Sequence, residues 1–321
     1  MPSRLTRSLD VLLAVASTTG FVGLCVAVVR RSPENHVGFS PWLLIAAPAA
    51  ALPVGSEDDV HESLRGAPSW AELDAAAVDF TAIVALSNCS GSLVRFTTSR
   101  TDDKALVLTN GHCLSGFVDA NDAVVGEPST RTFSLLSSSG RSTLGTLRAS
   151  EVVYATMTGS DFAIYRLTQT YAQIAARYGV APLTIADRHP EAGAPVRIVS
   201  GYWRRIYSCT IDHFAYQLKE GSWTFSDSIR FSQPGCETIG GTSGSPIIHA
   251  DTRAVIGINN TGNQSGARCT LNNPCEVDEH GAVTAQKGAA YGQELYQIYT
   301  CLDANNEIDL SRAGCRLNKP L

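Results

Sequence analysis

Three short stretches hold the residue types from which a nucleophilic site is built. Gly240-Gly241-Thr242-Ser243-Gly244-Ser245-Pro246 sets a serine between glycines just before an apolar pair, Ile247-Ile248. Small residues there allow a sharp turn that brings two N–H groups to bear beside the hydroxyl, the geometry an oxyanion needs. An ordinary Gly/Ser turn between strands has the same composition, so the reading depends on partners. A serine hydroxyl is a poor nucleophile until a base takes its proton. His112, within Thr109-Asn110-Gly111-His112-Cys113 at the end of an apolar run, is a candidate base. Asp161 follows the turn Thr158-Gly159-Ser160 and opens the apolar run from Phe162 to Leu167, a place from which it can orient an imidazole. Taken singly, such a histidine more often just hydrogen-bonds in place, and such an aspartate caps a turn. The order His112, Asp161, Ser243 separates the set from an α/β-hydrolase, whose acid and histidine follow the serine in a Gly-x-Ser-x-Gly elbow that Gly241 to Ser245 breaks.

These residues must be held by short strands. Runs rich in apolar and β-branched residues are expected at 80–86, 91–97, 104–108, 131–136, 142–149, 152–156, 162–167, 194–200, 208–217, 228–231, 245–249 and 254–259. Only Ala172 to Tyr178 reads as helix in the middle of the chain, with a further short helix expected at Ala71 to Val78. Closely spaced strands separated by Gly, Pro, Asp and Ser turns indicate an all-β sandwich or barrel. The composition agrees: 321 residues, 44% hydrophobic and 17% charged, with 27 Gly and 14 Pro, suit one large domain or two small ones. A formal net charge of −5 and a pI near 5.8, with no dense Lys/Arg run, exclude an electrostatic footprint for nucleic acid. No cofactor motif stands out, and no C-x-x-C pair suggests zinc.

The N-terminus reads as a targeting segment. After Arg4 and Arg7, Val11 to Val29 is an apolar run long enough to span a bilayer, and it ends at Arg30-Arg31. A second run, Trp42 to Val54, contains small-x-small sites at Ala47-Pro48-Ala49 and Ala49-Ala50-Ala51 of the kind a signal peptidase cuts. A long signal sequence and a retained membrane anchor through 11–29 both fit, and both place the remainder outside the cytoplasm, secreted or at the cell surface. Residues 1–55 are therefore expected to be signal or anchor, 56–70 a linker or pro-segment, and 71–321 the folded domain. Of nine Cys, Cys25 lies in the first apolar run, which leaves an even eight; in an exported chain these read as four disulfides. Sequence alone allows on the order of 100 connectivities. Nearest-neighbour pairing would give Cys89–Cys113, Cys209–Cys236, Cys269–Cys275 and Cys301–Cys315.

Together, Thr109 to Cys113, Asp161-Phe162-Ala163-Ile164 and Gly241 to Pro246 resemble the three signature blocks of the chymotrypsin-like serine peptidases, and Cys89-Ser90-Gly91-Ser92-Leu93 resembles the strand before the histidine block. The likeness covers roughly Phe80 to Gly262. Ser-Gly-Ser-Pro and Val255-Ile256-Gly257-Ile258-Asn259 are most similar to the bacterial glutamyl-endopeptidase and HtrA-like branches, and the cysteine-rich tail to exported actinobacterial peptidases. The resemblance implies two six-stranded antiparallel β-barrels with the site in the cleft between them, and a protein or peptide substrate. It implies Ser243 as nucleophile, His112 as base, Asp161 as its orienting acid, and the N–H groups of Gly241 and Ser243 as the oxyanion hole. A catalytically silent binding protein would keep the same fold and is the alternative. Three departures matter. Thr242 stands where trypsin-like enzymes carry the aspartate that pairs with a new N-terminus, and no Ile-Val-Gly-Gly segment precedes Cys89. Glu237 matches the base of the specificity pocket but reads equally as a solvated turn residue, and Thr238 fits the glutamyl branch, yet Asn259 stands where that branch has histidine, so the stretch assigns neither a basic nor an acidic preference. The stretch after Gly262 is too short for a PDZ domain and is expected to form loops stapled onto the second barrel.

Overall fold

The apolar run that leads to His112 forms a strand, Lys104–Thr109, buried at every position after Lys104. The computed structural model describes residues 78–114 and 118–320, all within one compact unit. In chain order the first half holds β1 (Ile83–Ala85), β2 (Ser90–Arg95), β3 (Lys104–Thr109), β4 (Ala123–Pro128), β5 (Thr132–Leu136), β6 (Thr143–Thr156) and β7 (Phe162–Thr170). Antiparallel pairing runs β1-β5-β6-β7-β3-β2, and β1 pairs back onto β2, so six strands close into a barrel with no free edge. Inside it Phe133, Leu135 and Phe162 are fully buried, each contributing about 1.5–3 kcal/mol over an exposed side chain. The two strands expected at 142–149 and 152–156 are one, β6. Polar Ser150-Glu151 breaks the alternation between them, and the ladder to β7 slips there rather than ending.

A helix, α1 (Tyr171–Tyr178), follows β7 as expected. Thr170 and Gln173 form a reciprocal capping box at its start, and Gly179, at φ 66°, ends it. The chain then adds β8 (Leu183–Thr184) to β2 and crosses to the second half.

There, β9 (Pro195–Ser200), β10 (Arg205–Glu220), β11 (Trp223–Phe231), β12 (Pro246–His249), β13 (Val255–Gly262), β14 (Cys275–Val277), β15 (Val283–Thr284) and β16 (Ala290–Glu294) follow. Pairing runs β11-β16-β13-β12-β9-β10 and closes from β10 to β11, a second six-stranded ring, with β14 and β15 continuing from β10. Two antiparallel six-stranded barrels are therefore the architecture. β16, absent from the sequence expectations, is the strand that completes the second ring.

The tail divides its contacts. Residues up to Glu294 belong to the second barrel, whereas Leu295, Ile298, Leu302 and Leu317 are buried in the core shared with the first. Tyr299 packs edge-on against Phe96 at 5.7 Å, and its hydroxyl accepts from Thr97 N at 3.0 Å and donates to Ile185 O at 2.6 Å. The tail expected as loops stapled onto the second barrel lies there up to Glu294; past it, its apolar side chains are buried in the core that joins the first barrel to Val199, Ile248, Val255 and Ile258 of the second.

The disulfides are Cys89–Cys113, Cys209–Cys236, Cys269–Cys275 and Cys301–Cys315. Four such bonds are the usage of an extracellular protein. No helix among the described residues is long and apolar enough to cross a membrane. Segments 1–55 and 56–70, and nearly all of the helix expected at Ala71 to Val78, lie outside the described residues.

Candidate active site

His112 sits in a short 3-10 turn, Gly111–Cys113, directly after β3. That turn is braced on its far side: Cys113 is bonded to Cys89, and its carbonyl accepts from Asn88 Nδ2 at 3.2 Å and from the Arg131 guanidinium. Asp161 immediately precedes β7, the strand beside β3, so the ladder carries the two residues together. Asp161 Oδ2 lies 2.7 Å from His112 Nδ1, and Oδ1 accepts from the His112 backbone N–H at 3.2 Å. Asn110 Nδ2 donates to Asp161 O at 2.7 Å and fixes the acid's backbone. The Asp161 side chain is only 1% exposed against 21% for His112, so the carboxylate is walled off while the ring faces solvent. Burial alone would lower the His112 pKa, but the Asp161 charge and hydrogen bond, with the charge of Glu220, leave it above the ordinary histidine value. With the folded value above the unfolded one, the pair contributes stability that is complete below about pH 6.5 and lost as pH rises through the raised value.

Ser243 comes from the second barrel, on the loop between β11 and β12. Gly244 has φ 79°, and a Cβ there would lie 2.2 Å from Ser90 O and 2.3 Å from Thr109 Oγ1, so only glycine lets this loop reach the first barrel. Ser90 is the anchor. Its N–H donates to Ser243 O at 2.8 Å, its hydroxyl to Gly241 O at 3.2 Å, and its carbonyl accepts from Thr109 Oγ1 at 2.8 Å. Thr242, fully buried, closes the turn itself: its N–H bonds Ile239 O at 3.0 Å and its hydroxyl accepts from Ile239 N at 3.4 Å. Trp203 Nε1 donates to Gly240 O at 2.7 Å. Because C=O and N–H point oppositely across a planar trans peptide, that bond turns the Gly241 N–H away from Trp203. Among the described residues, neither the Gly241 nor the Ser243 N–H has an acceptor.

His112, Asp161 and Ser243 all line one cleft of about 630 Å³. The Ser243 hydroxyl rests on Asn260 O at 3.4 Å, and no hydrogen bond joins it to His112. Glu237, Thr238 and Asn259 line the same cleft, with Glu237 exposed and Asn259 buried. Asn259 Oδ1 and Asn260 Nδ2 are buried and make no hydrogen bond among the described residues.

A family model described as the trypsin-like peptidase domain matches residues 89–258, just over half of the chain. The chain belongs to the trypsin-like peptidases. It is accordingly a serine-type endopeptidase by family. No curated protein matches the chain significantly. Among solved structures, the MamO protease domain from Magnetospirillum magneticum shares 14% identity over 70% of this peptidase and 98% of its own chain, with a TM-score of 0.44. A Glu endopeptidase in complex with MPD shares 15% identity over 67% and 85%, with a TM-score of 0.40. A Nocardiopsis protease shares 16% over 68% and 93%, with a TM-score of 0.36. Family membership rests on the domain match alone.

Sequence reasoning passed over Trp203, which braces the Ser243 loop of this peptidase, and Glu220, which lines its cleft. Trp203 lies beside Tyr202 in the turn after β9, and the only signal was a pair of aromatics that stay 48% and 41% exposed. Glu220, at the end of β10, is 7% exposed; burial raises its pKa, and Oε1 accepts from Asn272 N at 2.7 Å. Nothing local in Lys219-Glu220-Gly221 marks it off from a solvated hairpin tip. Glu220→Gln removes a negative charge that favours protonated His112, so the His112 C–H resonances should titrate at lower pH than in the parent. An unmoved titration curve would exclude electrostatic coupling between the two.

Proposed function

We propose that this peptidase is exported and cleaves protein or peptide substrates through Ser243, His112 and Asp161, by way of an acyl-enzyme. The observation that carries this reading is the 2.7 Å bond from His112 Nδ1 to buried Asp161 on the wall of the cleft that Ser243 enters from the other barrel. With Nδ1 so held, the Nε2 lone pair faces the cleft. A rotation of the Ser243 side chain exchanges its long bond to Asn260 O for one to Nε2, a tightening expected when substrate fills the cleft. His112 then takes the hydroxyl proton as Oγ attacks the scissile carbonyl, and returns it to the leaving amine; Asp161 stabilises the imidazolium. The unpartnered N–H groups of Gly241 and Ser243 receive the oxyanion. Thr242 closes the loop without an ion pair, so no new N-terminus is needed to set it. In this reading residues 1–55 direct export, 56–70 link or cover, and 71–321 form the peptidase domain.

A fluorophosphonate probe tests the proposal. One serine per chain should react, mass spectrometry should place the adduct on Ser243, and His112→Gln should abolish it. A folded protein that does not react would instead be a peptidase fold that binds without cleaving.

Trp203 acts here as a positioning residue. Trp203→Phe frees the Gly240 carbonyl and should lower kcat with little change in KM, by up to the 10²–10³-fold, roughly, that losing one oxyanion donor brings. Parallel loss in KM alone would assign Trp203 to substrate binding.

A further inference from the structure

A second cluster lies on the second barrel outside the lining of the cleft. β11 pairs with β16 through Ile229 and Gly292, and Arg230 and Tyr291. Carried two residues further, that register sets Asp227 opposite Glu294, two carboxylates directly across adjacent strands, where like charges repel. His189, on the crossover between the barrels, brings Nε2 close to both: 3.3 Å from Asp227 Oδ2 and 3.0 Å from Glu294 Oε1.

The neutral ring cannot serve these acids as a donor. Its Nδ1 bonds the Pro190 carbonyl, which only accepts, so the ring proton of neutral His189 sits on Nδ1 and Nε2 carries a lone pair. Phe214 at 4.4 Å and Tyr296 at 5.4 Å, centroid to centroid, hold the ring in that orientation. The Glu294 side chain is 2% exposed, no nitrogen or hydroxyl among the described residues donates to its oxygens, and burial beside the Asp227 carboxylate pushes its pKa up to about 9, so a cation there would have to displace its proton. Among the described residues no Lys or Arg pairs with Asp227 or Glu294. Three lone-pair donors thus converge, within 4.8 Å of one another, with nothing positive between them.

We propose that His189 Nε2, Asp227 and Glu294 bind a divalent transition-metal cation, zinc by preference. Donors held about 2.0–2.2 Å from a tetrahedral zinc stand roughly 3.3–3.6 Å from each other, close to the separations found. One imidazole with two carboxylates suits zinc better than calcium, which takes oxygen donors alone. A histidine whose other nitrogen donates to a backbone carbonyl is the usual orientation of a metal ligand. The His189 and Asp227 side chains are 40% and 36% exposed, which gives an ion a way in and water a fourth position. The ion would clamp β11, β16 and the crossover together. The sequence raised no such site, because its three ligands lie far apart in the chain and outside any metal motif.

The test uses the full chain carrying Ser243→Ala, which prevents self-digestion, freed of metal with EDTA and titrated with ZnCl2, MnCl2 or CaCl2 by calorimetry. Zinc should bind one per chain, tighter than calcium, and raise the unfolding temperature. Asp227→Asn and Glu294→Gln should each weaken zinc at least about tenfold; both are near-isosteric and relieve repulsion, so their metal-free unfolding temperatures should match or exceed the parent's. Cobalt should give the parent a four-coordinate visible spectrum that His189→Gln abolishes. The proposal fails if the parent binds no divalent ion, if the variants bind zinc as tightly as the parent, which would place the ion on another ligand such as His112, or if the unfolding temperature answers only to pH, which would leave a protonated His189 between the acids.

Discussion

Ser243→Ala should leave a folded, fully disulfide-linked protein whose peptide hydrolysis falls about a millionfold in kcat, the scale on which serine nucleophiles fail when removed. The change is gentle structurally. The Ser243 hydroxyl makes one long bond, to Asn260 O, while the contacts that set the loop run through the Ser243 carbonyl and through its neighbours Gly241, Thr242 and Gly244. Thermal unfolding should therefore move little while turnover of a peptide substrate disappears into the background. Turnover within tenfold of the parent would sink the nucleophile assignment, and with it the reading of the cleft.

Asp161→Asn should cost about 10⁴ in kcat, as tautomer loss does in Ser-His-Asp enzymes. The amide retains an oxygen to accept the His112 backbone N–H, now at 3.2 Å from Oδ1, so the turn keeps its shape. Its NH2 group, however, faces Nδ1 and can only donate to it. The imidazole proton then moves to Nε2, the atom that must accept from Ser243. Nitrogen chemical shifts of the His112 ring should report the exchange of tautomers alongside the kinetics. A variant with the parent's tautomer and rate would show that Asp161 merely braces the turn.

Both variants act on residues that sequence could name, and the reason is local chemistry. His112 and Asp161 each end or open an apolar β-branched run, and Ser243 is surrounded by glycines; those signals survive without any knowledge of packing. The strands carrying them were legible on the same grounds. β16 was not. All five of its residues are buried, yet Gly292, Gln293 and Glu294 look like a surface turn until Gln293 is seen sharing hydrogen bonds with Ser228 on the neighbouring strand. β4 was lost for the opposite reason: after Ala123 and Val124 it is exposed and ends in proline, so no buried face advertises it. Trp203, Glu220 and the His189 cluster are products of contacts between distant segments, which no window along the chain contains.

The tail beyond Glu294 gives the barrels a second connection, covalent to the second barrel and non-covalent to the first. One route is the crossover through His189; the other leaves β16 and docks on the first barrel through Tyr299, Leu302, Leu317 and Asn318, whose carbonyl accepts from Tyr154 Oη at 2.9 Å. The histidine and aspartate stand on one barrel and the serine on the other, so their meeting resembles the association of two subunits. Tethering both ends of the second barrel turns that association into a loop closure at high effective concentration, and the Cys301–Cys315 bond shortens the loop further. Cutting the chain after Glu294 would leave twelve barrel strands intact and still loosen the register between base and nucleophile.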